Sequence, residues 1–110
     1  MMTNEELNTA LYQKMFEEQE RYQDSLLSMS PAEVLNHAYK YTIREDLLLV
    51  LEYHDLEDGQ AKALLKQKEP LKDLFAQFET RETNYMDIVR DTVETYANNL
   101  MLKVGDSLCG

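Results

Sequence analysis

The sequence predicts an all-α protein, a compact bundle of about five or six helices forming a single domain over 1–110, with about 1–3 and 104–110 frayed. Three observations carry that expectation. Apolar residues recur at intervals of three, four and seven, the spacing of a helix face. Helix start signals stand directly ahead of those stripes. Glycine and proline are scarce, three and two in 110 residues, which leaves little material for the many turns of an all-β fold. The length suits one domain, enough to bury roughly two thirds of the unfolded chain's surface in a single core.

The first helix opens on Thr3 and Glu6, a capping-box pair in which hydroxyl and carboxylate each satisfy an otherwise unpaired backbone amide. Leu7, Leu11, Met15, Tyr22 and Leu26, with Ala10 beside them, make one inward stripe, and the helix is expected to end near Ser28. Glu5, Glu6, Glu17, Glu18, Glu20 and Asp24 fall between these positions and read as a polar face. Ser30, Pro31 and Glu33 then supply a cap, a first-turn proline and a capping-box acid in register. The second helix carries Val34, Leu35, Ala38, Tyr39 and Tyr41. Thr42 and Glu45 repeat the capping spacing, so the chain either restarts there or runs on as one helix.

Leu47 to Leu51 are five consecutive apolar residues, which cover most of a helix circumference and are expected at the centre of the core. Leucine rather than β-branched residues favours helix over strand here. His54 to Gly59 reads as a loop, followed by a short helix over Ala61–Lys68 with Ala61, Leu64 and Leu65 inward, broken by Glu69 and Pro70. From Leu71 the apolar positions Leu74, Phe75, Phe78, Tyr85, Ile88, Val89, Val93, Tyr96 and Leu100 fit one long helix to about Lys103, or two parted near Thr80–Asn84. Tyr22, Tyr85 and Tyr96 lie on these stripes and are expected in the core; Tyr12, Tyr39, Tyr41 and Tyr53 suit either half-buried packing or a binding face.

The net charge is −10, and it is unevenly spread. Residues 1–59 hold 13 acids and 4 bases, whereas 60–110 hold 8 acids and 7 bases. So acidic a chain is repelled by nucleic acid and by anionic membranes, and its natural partner is a basic protein surface. The longest apolar run is far short of a membrane span, and the N-terminus does not read as a signal peptide, so a cytoplasmic location is expected. A single cysteine, Cys109, allows no internal disulfide and reads as a free thiol on the tail.

Catalytic and metal chemistry find little support. His37 and His54 are 17 residues apart and share no ligand motif. The stretch from His54 to Gly59 fails as a calcium loop, because positions one and three would be His54 and Leu56. Glu45 with Asp46, and Glu57 with Asp58, are adjacent acids of the kind found at helix starts, not two carboxyls in different environments across a cleft. There is no nucleophile motif and no glycine-rich phosphate loop. No catalytic residue, cofactor or metal is expected.

The segments Asn4-Glu5-Glu6-Leu7-Asn8, Leu35-Asn36-His37-Ala38-Tyr39, Arg44-Glu45-Asp46, Glu52-Tyr53-His54-Asp55-Leu56, Gln60-Ala61-Lys62-Ala63-Leu64-Leu65 and Arg81-Glu82-Thr83-Asn84-Tyr85-Met86-Asp87 together carry a resemblance. Over about residues 4 to 100 the chain resembles an uncharacterised "domain of unknown function" family of short bacterial proteins often encoded on mobile elements. No activity and no site residues come with the resemblance. It implies a genomic neighbourhood rich in small acidic proteins that disarm host defences.

The expected function is therefore that of a non-enzymatic acidic binding protein. One form is an anti-CRISPR or anti-restriction inhibitor acting as a DNA mimic, with carboxylates in the place of phosphates on the basic surface of a defence nuclease or Cas effector. The candidate partner-binding residues are Glu17, Glu18, Glu20, Asp24, Glu45, Asp46, Tyr53, Asp55, Glu57 and Asp58. The alternative is a helical adaptor or regulatory subunit acting by dimerisation or through an apolar groove, and a third reading is an enzyme of unrecognised type.

Overall fold

Two of the helices begin where the start signals place them. Thr3 Oγ1 accepts from the Glu6 amide at 3.2 Å while Glu6 Oε1 accepts from the Thr3 amide at 3.3 Å, and Ser30 and Glu33 repeat the exchange at 3.3 Å each way. The computed structural model describes residues 1–81 and 85–109 and, of 104–109, the backbone alone. Its elements are α1 (Asn4–Leu27), α2 (Pro31–Tyr53), α3 (Asp58–Leu65), α4 (Pro70–Arg81) and α5 (Tyr85–Cys109). Among the described residues the fold is all-α, with five helices and no strand. The chain divides into two units, Met1–Gln77 and Phe78–Gly110.

Within the first unit, α1 is the element the others are fastened to. Its stripe Leu7, Leu11 and Met15 meets Leu48 of α2, Ala61 of α3 and Leu71 of α4 in one buried cluster. Tyr12, Leu47, Leu51, Leu56, Leu64, Leu65 and Leu74 pack around it. Polar side chains of α1 grip the connections. Asn8 accepts from the Leu56 amide at 2.8 Å and donates to the Leu56 carbonyl at 3.0 Å, satisfying both backbone groups of one loop residue. Asn4 adds a bond to the same carbonyl at 2.9 Å. Lys14 donates to the carbonyls of Leu65 and Gln67, placing a cation on the free carbonyls at the end of α3.

Several expectations need correcting. Leu47–Leu51 does not sit at the core's centre. Leu48 is buried and Leu47 and Leu51 half-buried, but Leu49 and Val50 are 49% and 55% exposed. The helix is covered on one side only, so a five-residue apolar run cannot all face inward. Tyr85 and Tyr96 are exposed, and none of α5's described side chains is buried, although its stripe has core spacing. Spacing orients a face; it does not supply the surface that covers it. Of the two readings open at Thr42, the continuous helix is the one found: α2 runs through, and the Thr42 hydroxyl donates to the Ala38 carbonyl at 3.0 Å. The early end of the long last segment is also wrong. α5 stays helical to Cys109, since Gly105 alone costs a helix only about 1 kcal/mol. His54–Gly59 is a shorter loop than expected, for α3 starts at Asp58, where Gln60 Oε1 accepts from the Glu57 amide at 3.0 Å.

Candidate functional site

The pair α1/α2 is antiparallel, and its two sides differ in chemistry. On one side a groove of about 700 Å³ opens between the end of α1 and the start of α2, lined by residues such as Leu26, Leu27, Met29, Val34, Leu35 and Ala38, with no charged residue in its wall. Leu27 and Leu35 at its lip are each 76% exposed. On α1 the groove positions Gln23 and Leu27 continue a line through Phe16, Tyr12, Thr9 and Glu5 at helical spacing. Tyr12 and Phe16 stack along it with ring centroids 6.1 Å apart. The line ends in a second recess of about 200 Å³ walled by Glu5, Asn8, Thr9, Tyr12, Leu51, Glu52 and Asp55. This recess holds three carboxylates and no base. One face thus passes from apolar to aromatic to acidic along the length of α1.

The other side of α1 carries a buried polar network. Glu18 is 4% exposed, and its carboxylate accepts from the amides of Leu71 and Lys72 at 2.8 Å each. A carboxylate from α1 thereby caps the N-terminus of α4, where the helix dipole favours negative charge. Arg44, also 4% exposed, donates from Nε to Gln19 Oε1 at 2.8 Å and stands 3.9 Å from Glu18. Gln19 donates in turn to the Tyr41 carbonyl at 3.2 Å and to Glu45 at 3.1 Å. The Arg44 guanidinium lies over the Tyr22 ring at 4.4 Å, and the Tyr22 hydroxyl meets His37 Nδ1 at 3.0 Å. His37 is thus a packing partner of Tyr22.

The sequence-based site residues disperse. Glu18 is removed from any partner surface, because burial and its two amide bonds commit it to the fold. Glu57 occupies the cap position of α3, Asp58 accepts from Asn4 at 2.7 Å, and Glu45 is engaged by Gln19. Glu17, Glu20, Asp24, Asp46 and Tyr53 face outward on α1 and α2. Only Asp55 among the ten lines the acidic recess, joined there by Glu5 and Glu52. The groove itself escaped notice in the sequence. Its signal was a second stripe, Tyr12, Phe16, Gln23 and Leu27, running beside the first at intervals of four, seven and four.

Burial raises the Tyr22 pKa above its ordinary 10.0 against the lowering influence of Arg44, and burial together with Glu45 raises that of Tyr41. Both rings are held neutral more firmly in the fold than in the unfolded chain. Their contribution to stability is complete below pH 10 and is lost as pH rises through the folded values. The melting temperature is therefore expected to fall more steeply above pH 10 in the natural protein than in the Tyr22→Phe, Tyr41→Phe double variant. Equal slopes in thermal melts would remove this assignment.

Among the described residues no three histidine, cysteine or acidic side chains come together in a way that could hold a metal ion, and no helix is long and apolar enough to cross a membrane. A family model described as a protein of unknown function (DUF3848) matches residues 7–101. No curated protein and no solved structure matches the chain.

Proposed function

The chain belongs to the DUF3848 family of proteins of unknown function, and from its own geometry we propose that it is a non-enzymatic binding protein whose α1/α2 face receives a basic, amphipathic segment of another protein. The observation that carries this reading is the continuity of the uncharged groove with the acidic recess on one face. An apolar helix face placed in the groove buries Leu27 and Leu35, which otherwise stand in water. Lysines or arginines at one end of that segment meet Glu5, Glu52 and Asp55. Glu17, Glu20 and Asp24 stand outward on α1 and extend the negative field that draws such a segment in.

The nucleic-acid-binding surface of a defence nuclease is one basic partner of this kind, and the mobile-element setting implied by the sequence resemblance would favour it. That narrower form predicts that DNA competes with this protein for the nuclease.

A synthetic helical peptide with leucines on one face and lysines at one end tests the general reading. It is expected to bind, to weaken by at least about tenfold as ionic strength rises from about 0.05 to 0.5 M, and to lose binding on Leu35→Glu. Leu35 is exposed, so this change leaves stability within about 0.5 kcal/mol. The same peptide with glutamates for lysines is expected not to bind. Equal binding of the two peptides, or binding indifferent to Leu35→Glu, overturns the proposal.

A further inference from the structure

On the side of α1 away from the groove lies a pocket of about 360 Å³ with the opposite chemistry. Its wall contains Arg21, Lys40, Arg44 and Lys72, with Glu18, Glu69 and the Tyr22 ring. Four of the chain's 11 basic residues are gathered at one place in a protein of net charge −10. Such a concentration of like charge is costly unless something compensates it.

The carboxylates present do so incompletely. Glu18 already spends both oxygens on the amides of Leu71 and Lys72. Glu69 is drawn to Lys72 at 3.5 Å. Arg44 has five N–H donors. One goes to Gln19, and the nearest contact to Glu18 is 3.9 Å, an ion pair beyond hydrogen-bond length. Arg44 lines the pocket, and no fully buried side-chain nitrogen or oxygen among the described residues lacks a partner. Burial also pulls the Arg44 pKa below its ordinary value despite the opposing influence of Glu18, Tyr22 and Glu69. Desolvation of this cation therefore outweighs the negative charge around it. Lys40 is held nearby with its ammonium 5.5 Å from the centres of both the Tyr22 and Phe75 rings.

We propose that this pocket binds a phosphoryl group, free or carried on a small molecule, between the Arg44 guanidinium and the side chains of Arg21, Lys40 and Lys72. Four cations against two carboxylates leave an excess of two positive charges. A phosphoryl group carries about −1.5 to −2 near neutral pH and matches that excess, whereas a carboxylate balances half of it. The guanidinium fork suits two oxygens of one tetrahedral anion, and the lysines supply point charges that need no fixed geometry. The volume leaves room for a small organic substituent beside the phosphoryl oxygens. Because the chain as a whole repels anions, binding here has to come from the local field.

The test is a titration of the full chain with inorganic phosphate against chloride at constant ionic strength, following the Arg44 Nε–H signal by NMR. A saturable shift is expected with phosphate and none with chloride. Lys40→Met and, separately, the exposed Arg21→Gln are each expected to weaken binding by about tenfold, the loss of one charge-assisted contact. Lys62→Met, on α3 and outside the pocket, is expected to leave it unchanged. Parallel titration with phosphoserine separates the sources: tighter binding of the ester assigns the group to an organic carrier, and tighter binding of phosphate assigns it to the free ion. The absence of a saturable phosphate shift overturns the proposal, as does equal weakening by Lys62→Met.

Discussion

Replacing Glu18 by alanine is expected to cost about 3–5 kcal/mol of folding stability, a large part of the roughly 5–15 kcal/mol that a domain possesses. Two losses add. The amides of Leu71 and Lys72, each bonded to the carboxylate at 2.8 Å, are left without an acceptor at the buried start of α4. Arg44, 4% exposed, loses its nearest countercharge. Glu18→Gln keeps the shape and one acceptor but turns an N–H toward donors, and is expected to cost about 2–3 kcal/mol. Glu17→Ala, one residue away and exposed, is expected to change stability by less than about 0.5 kcal/mol. Urea unfolding of the three variants reads this directly. Equal effects of Glu17→Ala and Glu18→Ala would mean that the buried cap does not exist in solution. Adding Arg44→Met to Glu18→Ala is expected to cost less than the sum of the two, because the stranded charge is removed with its partner.

Leu11→Ala is expected to destabilise by about 2–5 kcal/mol, through lost apolar burial and the cavity left behind. Leu11 is 0% exposed and lies in the middle of the cluster that joins α1 to Leu48, Ala61 and Leu71. At roughly 4–8 °C per kcal/mol for a small domain, the melting temperature drops by about 10 °C or more. Leu49→Ala removes the same atoms from a half-exposed position on α2 and is expected to cost under about 1 kcal/mol. Chemistry is constant across this pair, so the difference measures packing alone. Comparable shifts in the two melts would place Leu49 in the core.

What was legible in the sequence was local. Thr3 with Glu6 and Ser30 with Glu33 are bonds between residues three apart, so the sequence spacing is itself the geometry. The stripe Leu7, Leu11 and Met15 was readable for the same reason. The interior polar network was not, yet it left a trace. The first stripe skips from Met15 to Tyr22, and Glu18 and Gln19 fall in that gap on the inward face. Among Glu17 and Glu20, Glu18 reads as one more acid of a polar face. Its true partners are 53 and 54 residues away, and no local pattern announces them. The start of α4 held a hint, for Pro70 is preceded by Glu69 and not by serine, threonine, asparagine or aspartate, the preferred caps.

The charge asymmetry between the halves told where acid is abundant but not where it acts. Tertiary contact sorted the ten candidate residues by engagement: Glu18 went to the interior, Glu57 and Asp58 to the start of α3, and Asp55 to a recess with Glu5 and Glu52. It also set four bases around one pocket in a chain whose composition repels anions. By itself, then, the sequence determined the all-helical class, the starts of α1 and α2 and which stripe of α1 turns inward, because these depend on residues within one or two turns of each other. Which apolar faces are covered, which carboxylate is buried and which charges share a pocket were decided only by the tertiary structure. Those depend on pairs of residues far apart in the chain, and their energies exist only once folding has brought the two together.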